Sequence, residues 1–269
     1  MGRIYTIANQ KGGVGKTTTA VNLSAFLATF NQRILLVDLD PQANATSCLG
    51  IDKKTISNGT YEVIIGAVPA YKNILFNQRL KLSLLPSSPS LAGAEVELVP
   101  VISRETRLRE ALQPLTERYD YILIDCPPSL GLLTLNGIVA AKDGVIIPVQ
   151  CEYLALEGIG QLNQTLSRIR TAIFPDLQVR GVVLTMFDIR TKLSADVVHE
   201  INRHFKDQVF TTIIPRSVRL AEAPSYGQPI SVYAPGSNGA VAYSNLAREI
   251  LVGDGLLTSQ PIQAFVSTE

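Results

Sequence analysis

Seven short runs rich in Val, Ile and Leu recur along the chain with little polar alternation: IYTIA (4–8), RILLVDLD (33–40), LSLLP (82–86), YDYILID (119–125), GVIIPV (144–149), VRGVVLTMF (179–187) and VFTTIIP (209–215). A strand with one face in water alternates, whereas a continuous apolar run of this length suits a strand covered on both faces, as in a parallel sheet. Between these runs the period lengthens. Ala20, Leu23, Leu27 and Phe30 fall at helical spacing within 17–30. Segment 103–118 opens on Ser103 as an N-cap, carries an apolar face, and is interrupted late by Pro114. Segments 153–173 and 193–206 repeat the helical pattern. Strands alternating with helices predict an α/β fold, a single domain built on a doubly wound, mostly parallel sheet. No polar linker, repeat or low-complexity block divides the chain, so the domain is expected to span 1–252. The remainder, 253–269 (GDGLLTSQPIQAFVSTE), is broken by Gly, Pro and Ser and is expected to be a loose C-terminal tail.

Composition narrows this picture only a little. The 269 residues are 46% hydrophobic, ample for a core. Lys and Arg number 24 against 23 acidic residues, so net charge points to no partner, although a local basic face can hide in a neutral total. The three cysteines, Cys48, Cys126 and Cys151, form no C-x-x-C pair, which argues against a disulfide framework or a tetrahedral zinc site. The start, MGRIYTIANQ, has no signal-peptide character, and no apolar run approaches the roughly 18–20 residues of a membrane span. A cytoplasmic protein without a membrane partner is expected.

The chemistry begins at NQKGGVGKTTTAVNLS, residues 9–24. A strand, then Gly12, Gly13, Val14, Gly15, Lys16 and Thr17, then a helix, is the context of a phosphate-binding loop. The glycines let backbone N–H groups turn inward on phosphates, and the helix aims its positive end at them. Lys16 is placed to contact the β- and γ-phosphates and the Thr17 hydroxyl to ligate Mg²⁺. The loop departs from G-x-x-x-x-G-K-[ST], because Gln10 stands where the first glycine belongs. It also carries a second lysine, Lys11, that such a loop does not need.

Two further stretches place carboxylates at strand ends, where ligands of open α/β sheets gather. In LLVDLDPQAN, Asp38 and Asp40 are one residue apart, so they face opposite ways if the strand continues and need not share a role. YDYILIDCPPSLG ends four apolar positions in Asp125, the form of a Walker B carboxylate that holds Mg²⁺ directly or through water. Pro127 and Pro128 stiffen the exit.

Lys11–Thr18 resembles the deviant Walker A loop of the ParA/MinD superfamily, and with Asp38–Asn44, Asp125–Gly131, Thr185–Arg190 and Pro215–Gly227 the chain resembles Soj/ParA-type chromosome- or plasmid-partitioning ATPases from Ile4 to about Leu251. The resemblance implies an Mg²⁺-dependent ATP hydrolase whose nucleotide touches Lys11, Gly12, Gly13, Val14, Gly15, Lys16, Thr17 and Thr18. It implies that Lys11 crosses to the nucleotide of a second copy in an ATP-bound homodimer, neutralising charge on the transferred phosphoryl group as an arginine finger does. By the same resemblance Asp40 orients the attacking water, with Lys11 and Lys16 completing the catalytic set. Asp38 lies near the magnesium shell and the loop lysine, and Ser129–Gly131 senses the γ-phosphate. Met186, Pro215 and Arg216 cover the adenine. Arg190, Arg219 and Arg216 form a surface for double-stranded DNA of any sequence, present as one patch only in the dimer. A ParB-type centromere-binding partner stimulates hydrolysis, and the protein is nucleoid-associated. No helix-turn-helix pattern precedes the loop, so operator recognition is not expected.

Four other readings stay open on sequence. A positioning ATPase for a protein cargo would use the same chemistry. A MinD-like membrane-associated division-site ATPase would need a basic amphipathic C-terminal helix, and the tail has no Lys or Arg. An iron–sulfur reductase would need paired cysteines at the dimer seam, and Cys126 and Cys151 are placed more simply as core residues. A ligase or kinase of related fold leaves Lys11 and the D-L-D-P-Q stretch unexplained.

Overall fold

The computed structural model describes residues 1–152 and 154–258. Each of the seven apolar runs forms a strand: β1 (Arg3–Ile7), β2 (Ile34–Asp38), then β4 (Leu82–Leu85), β5 (Tyr121–Asp125), β6 (Gly144–Gln150), β7 (Val179–Phe187) and β8 (Val209–Pro215). An eighth, β3 (Leu75–Asn77), precedes β4. The sheet order is β3-β4-β2-β5-β1-β6-β7-β8, all parallel except for the antiparallel β3. β1 lies between β5 and β6, so the chain winds outward in both directions from it, and the crevice beyond its carboxyl end is where such sheets bind ligands.

Helices cover both faces: α1 (Lys16–Thr29), α2 (Asn44–Cys48), α3 (Thr60–Ile64), α4 (Ala94–Glu97), α5 (Arg107–Leu112), α6 (Leu132–Ala140), α7 (Leu154–Ala172), α8 (Lys192–Phe205), α9 (Val218–Glu222), α10 (Ile230–Tyr233) and α11 (Asn238–Gly253). Alternate strand residues feed two separate cores. Leu35, Val37, Ile122 and Ile124 pack with α5 and α6 residues on one side. Tyr5, Ile7, Leu36 and Leu123 pack with α1 and α11 on the other. This two-sided burial is why the strands read as unbroken apolar runs. The long helix expected over 103–118 is shorter: α5 stops at Leu112, and Gln113–Leu115 continue as a 3-10 turn. Pro114 has no N–H to donate into an α-helix, which accounts for the change.

Packing continues past residue 252. Gly253 is the last residue of α11, and the buried Asp254 carboxylate accepts from Tyr5 Oη at 2.9 Å, Tyr121 Oη at 2.7 Å and Arg180 Nη2 at 3.2 Å. The start of the expected loose tail is therefore anchored to β1, β5 and β7. Residues 259–269, the rest of that tail, lie outside the described residues.

Candidate functional site

The loop between β1 and α1 occupies the crevice at the sheet's switch point. Gly13 and Gly15 adopt φ values of 74° and 88°, a region open to glycine without strain. Gly15 is the N-cap of α1 and has no side-chain cap, so the first N–H groups of that helix remain available to an anion. Lys16 is buried, and its Nζ donates to the carbonyl of Lys11 at 3.0 Å. Burial pushes its ammonium below the ordinary lysine range, an effect opposed by the nearby Asp125, Cys126 and Asp40. Lys11 is half-buried, and its ammonium makes no hydrogen bond or ion pair among the described residues.

The three aspartates separate clearly. Asp38 and Asp125 are register partners on adjacent strands and are fully buried. Asp38 is engaged at both oxygens: Oδ2 accepts from the Thr46 N–H at 2.8 Å and Thr46 Oγ1 at 2.7 Å, and Oδ1 accepts from the Asp40 N–H at 3.2 Å. Burial still pushes it up to about 6. Both oxygens of Asp125 are buried without a hydrogen-bond partner. Burial, and then the fields of Asp38 and Asp40, hold this carboxyl well above the usual range, while the adjacent Thr17 hydroxyl and the Lys16 ammonium favour its charged form. Asp40 Oδ1 accepts from the Gln42 N–H at 2.8 Å, and its backbone carbonyl accepts from Ser87 Oγ at 2.8 Å. Its other carboxylate oxygen has no protein partner in the described structure. Ala43, just beyond, sits at φ 51°, a left-handed conformation that costs an alanine about 1 kcal/mol.

Among the described residues no cluster of three or more His, Cys, Asp or Glu side chains converges on one point. The orphaned Asp125 carboxylate beside Thr17 fits Mg²⁺ rather than a caged transition metal, because Mg²⁺ keeps several waters and takes only one or two protein oxygens. All three cysteines are free and buried, and burial pushes each thiol up to about 12.

A cavity of about 380 Å³ adjoins the loop, lined by Gly15, Thr18, Met186, Pro215, Arg216 and Leu220 among others. Met186, Pro215 and Arg216, expected around a base, are thus brought together. Two links hold the wall: Thr185 Oγ1 donates to the Val14 carbonyl at 2.9 Å, and the Arg216 N–H donates to the Phe187 carbonyl at 2.9 Å. Met186 itself is held at φ 53°, a strained conformation of the kind that collects at ligand sites. Thr185, the first residue of the Thr185–Arg190 stretch, also lines this cavity, whereas sequence reading missed Tyr243, another lining residue, and Thr46, which holds Asp38. Nothing in their local pattern marks them: Tyr243 meets Thr19 from the far end of the chain, and Thr46 reaches Asp38 only through the turn that follows β2.

The expected DNA-contacting arginines are each paired with a carboxylate. Arg190 makes two bonds to Asp188, at 2.9 and 2.7 Å. Arg216 meets Glu152 at 2.6 Å and Arg219 meets Glu222 at 3.0 Å. The Arg190 bond is the main reason the half-buried Asp188 carboxyl falls to about 2, with a smaller contribution from Arg216.

A family model described as an AAA domain matches residues 2–179. The sporulation initiation inhibitor protein Soj of Bacillus subtilis is 52% identical over 250 residues, covering 93% of this chain and 98% of that protein. The chain belongs to the Soj/ParA family of chromosome-partitioning ATPases. Chromosome partitioning protein ParA of Myxococcus xanthus is likewise 52% identical, covering 94% of this chain and 89% of that one. Among solved structures, cobyrinic acid a,c-diamide synthase of Mycobacterium smegmatis with bound ADP and magnesium superposes with a TM-score of 0.83 at 38% identity, covering 95% of this chain and 96% of that one. In this Soj/ParA chain no helix of the described residues is long and apolar enough to cross a membrane.

Proposed function

We propose that this chain binds ATP with Mg²⁺, closes into a homodimer over two nucleotides, binds DNA in that form without sequence preference, and releases it when hydrolysis ends the dimer. The observation that carries the reading is a single crevice holding the buried Lys16, the orphaned Asp125 carboxylate and, at its rim, a second lysine whose ammonium has no partner among the described residues of its own protomer. The relatives named Soj and ParA, and a structural neighbour bound to ADP and magnesium, support the same chemistry.

In this mechanism Lys16 exchanges the Lys11 carbonyl for phosphate oxygens. Thr17 and Asp125 hold the cation, and Asp38, tied to Thr46, fixes the Asp40 backbone instead of offering an open oxygen. When bound, Mg²⁺ draws charge from the phosphate oxygens and aligns them. Asp40 uses its free carboxylate oxygen to orient the attacking water, and Lys11 of each protomer enters the pocket of the other. The segment from Ser129 to Gly131 follows Asp125 and reports the γ-phosphate to the surface. Gly12, Gly13, Val14, Gly15 and Thr18 complete the phosphate cradle, and Met186, Pro215 and Arg216 take the base.

Pairing of two chains doubles the set Arg190, Arg216 and Arg219. These arginines are exposed and their present carboxylate partners half-buried; such surface pairs contribute only about 0–1 kcal/mol each, so phosphate can displace them. A ParB-type partner that accelerates hydrolysis completes the cycle, which places the protein in the cytoplasm on the nucleoid. The name of the 38%-identical neighbour supports a second reading, an amide-forming ligase. ATP turnover stimulated by DNA and partner, with no acid or amine substrate present, separates the two.

Asp40→Ala tests the mechanism. The variant is expected to bind ATP and persist as a dimer while hydrolysing at least about 100-fold more slowly. Parental turnover in that variant contradicts the role given to Asp40.

A further inference from the structure

We infer that Asn9 and Gln10 are positioning residues for Lys11: together they form a side-chain brace that fixes the lysine's backbone against β6 and α7, leaving its ammonium to act outside its own protomer. The inference rests on the proposed role of Lys11 in the partner's nucleotide site.

Gln10 is the residue that replaces the first glycine of an ordinary phosphate loop, and the nucleotide chemistry leaves it unexplained. The structure gives it a bond: Gln10 Nε2 donates to Thr165 Oγ1 on α7 at 2.7 Å. Its neighbour Asn9 makes two more. Asn9 Nδ2 donates to the Pro148 carbonyl on β6 at 2.8 Å, and Asn9 Oδ1 accepts from the Lys11 N–H at 3.0 Å. The parallel ladder between β1 and β6 accounts for the first of these. The Ala8 N–H still reaches the Ile146 carbonyl at 3.2 Å. Beyond it the backbone turns away, and the Asn9 side chain fills the next acceptor, at Pro148, in place of a main-chain donor.

Both peptide groups of Lys11 are therefore committed, its N–H to Asn9 and its C=O to Lys16. Among the described residues its ammonium is bonded to nothing. Among the described residues the side-chain contacts fall on the base of this lysine and none on its tip. On the other side stand Gly12 and Gly13, both exposed and with open space where a Cβ would lie. Glycines restrain little, so the direction of Lys11 has to be set from Asn9 and Gln10. When Lys16 turns to a nucleotide, the Lys11 carbonyl loses its partner and the brace becomes the principal restraint on the lysine. A group held in advance loses less freedom when it docks. The brace should therefore strengthen the dimer contact more than nucleotide binding.

The test measures two quantities on the full chain: ATP affinity, and dimerisation with the slowly hydrolysed analogue ATPγS by light scattering on gel filtration. The variants are Asn9→Ala, Gln10→Gly, Lys11→Ala and the double variant Asn9→Ala/Lys11→Ala. Asn9→Ala is expected to keep ATP affinity within about two-fold and to raise the dimer dissociation constant about ten-fold. Gln10→Gly should move the same way to a smaller extent. In the Lys11→Ala background, Asn9→Ala should add nothing, since a brace without its lysine has nothing to position. A parental dimer in Asn9→Ala beside a defective Lys11→Ala overturns the brace. So does full additivity in the double variant, and so does a ten-fold loss of ATP affinity in Asn9→Ala, which would make Asn9 a support for the phosphate loop as a whole. If Lys11→Ala itself dimerises like the parent, the functional reading beneath the inference fails instead.

Discussion

The ammonium of Lys16 donates to the backbone carbonyl of Lys11 at 3.0 Å. The two cations of the loop are thus linked, the side chain of one to the main chain of the other. Lys16 is buried but not orphaned, and a nucleotide has to offer it a better acceptor than a neutral carbonyl. Phosphate oxygens do so, because their negative charge adds ion-pair attraction to a bond that the ammonium alone already strengthens. Lys16→Ala is expected to lower ATP affinity by about 100-fold or more, read by titration calorimetry. An affinity within a few-fold of the parent would remove Lys16 from the phosphate site.

Asp125 predicts an unusual pH dependence. Burial pushes Asp38 up to about 6 and holds Asp125 well above the usual carboxylate range. A carboxyl group with a higher pKa in the folded state keeps its proton there after the unfolded chain has released it. The nucleotide-free protein therefore loses stability as pH rises from about 4 through 6, and further still on account of Asp125. Asp125→Asn removes the buried charge. Its melting temperature at pH 8 without nucleotide is expected to exceed the parent's by about 3 °C or more, with a flatter profile above pH 6 and no added stability from Mg²⁺-ATP. A lower melting temperature at pH 8 would contradict the assignment of Asp125 as an unpaired carboxylate awaiting a cation.

Arg219 carries the prediction for DNA. Arg219→Glu breaks the pair with Glu222 and reverses a charge on the proposed surface. Binding of random-sequence duplex to the ATP-loaded protein should weaken, and the slope of log affinity against log salt should fall by about 0.9 for each phosphate no longer neutralised. ATP affinity should be unchanged, since Arg219 does not line the base cavity. Unaltered DNA binding places the surface elsewhere.

Asp254 tests the fold. Its carboxylate, 3% exposed, receives Tyr5, Tyr121 and Arg180, with Arg3 Nε at 3.5 Å. Asp254→Ala leaves two phenolic hydroxyls without their acceptor and the Arg180 guanidinium without its counter-charge, with only the Ile250 carbonyl and Tyr5 Oη to accept from it. Such a loss costs about 3–5 kcal/mol, and urea unfolding should show it. A change below about 1 kcal/mol would mean that the end of α11 is not fastened there.

The sheet was legible in the sequence because β2 and β5 are buried on both faces and leave no alternation to confuse. What escaped reading follows from the same physics. β3 is a three-residue antiparallel edge with Leu75 and Phe76 exposed, too short for a pattern. α6 is apolar nearly all round, so it shows no stripe. α11, capped by Ser237, is the exception: it does carry a buried stripe through Ala240, Tyr243, Leu246, Ala247 and Ile250, and there the periodicity was overlooked. At the site, the loop and Asp125 could be read from residue type and spacing. The difference between Asp38 and Asp125 could not, because it depends on Thr46, whose hydroxyl and N–H occupy Asp38 and leave Asp125 open. The carboxylate partners of Arg190, Arg216 and Arg219 were equally hidden, and Glu152 lies 64 positions from Arg216.

Whether Lys11 acts in a neighbour's pocket is measured most directly by light scattering on gel filtration, with ATP or ADP and in the Asp40→Ala background to slow hydrolysis. With ATP the mass should double and with ADP it should not, and adding Lys11→Ala should return the ATP-loaded protein to a monomer. A monomer in every nucleotide state, or a dimer indifferent to Lys11→Ala, would contradict that role.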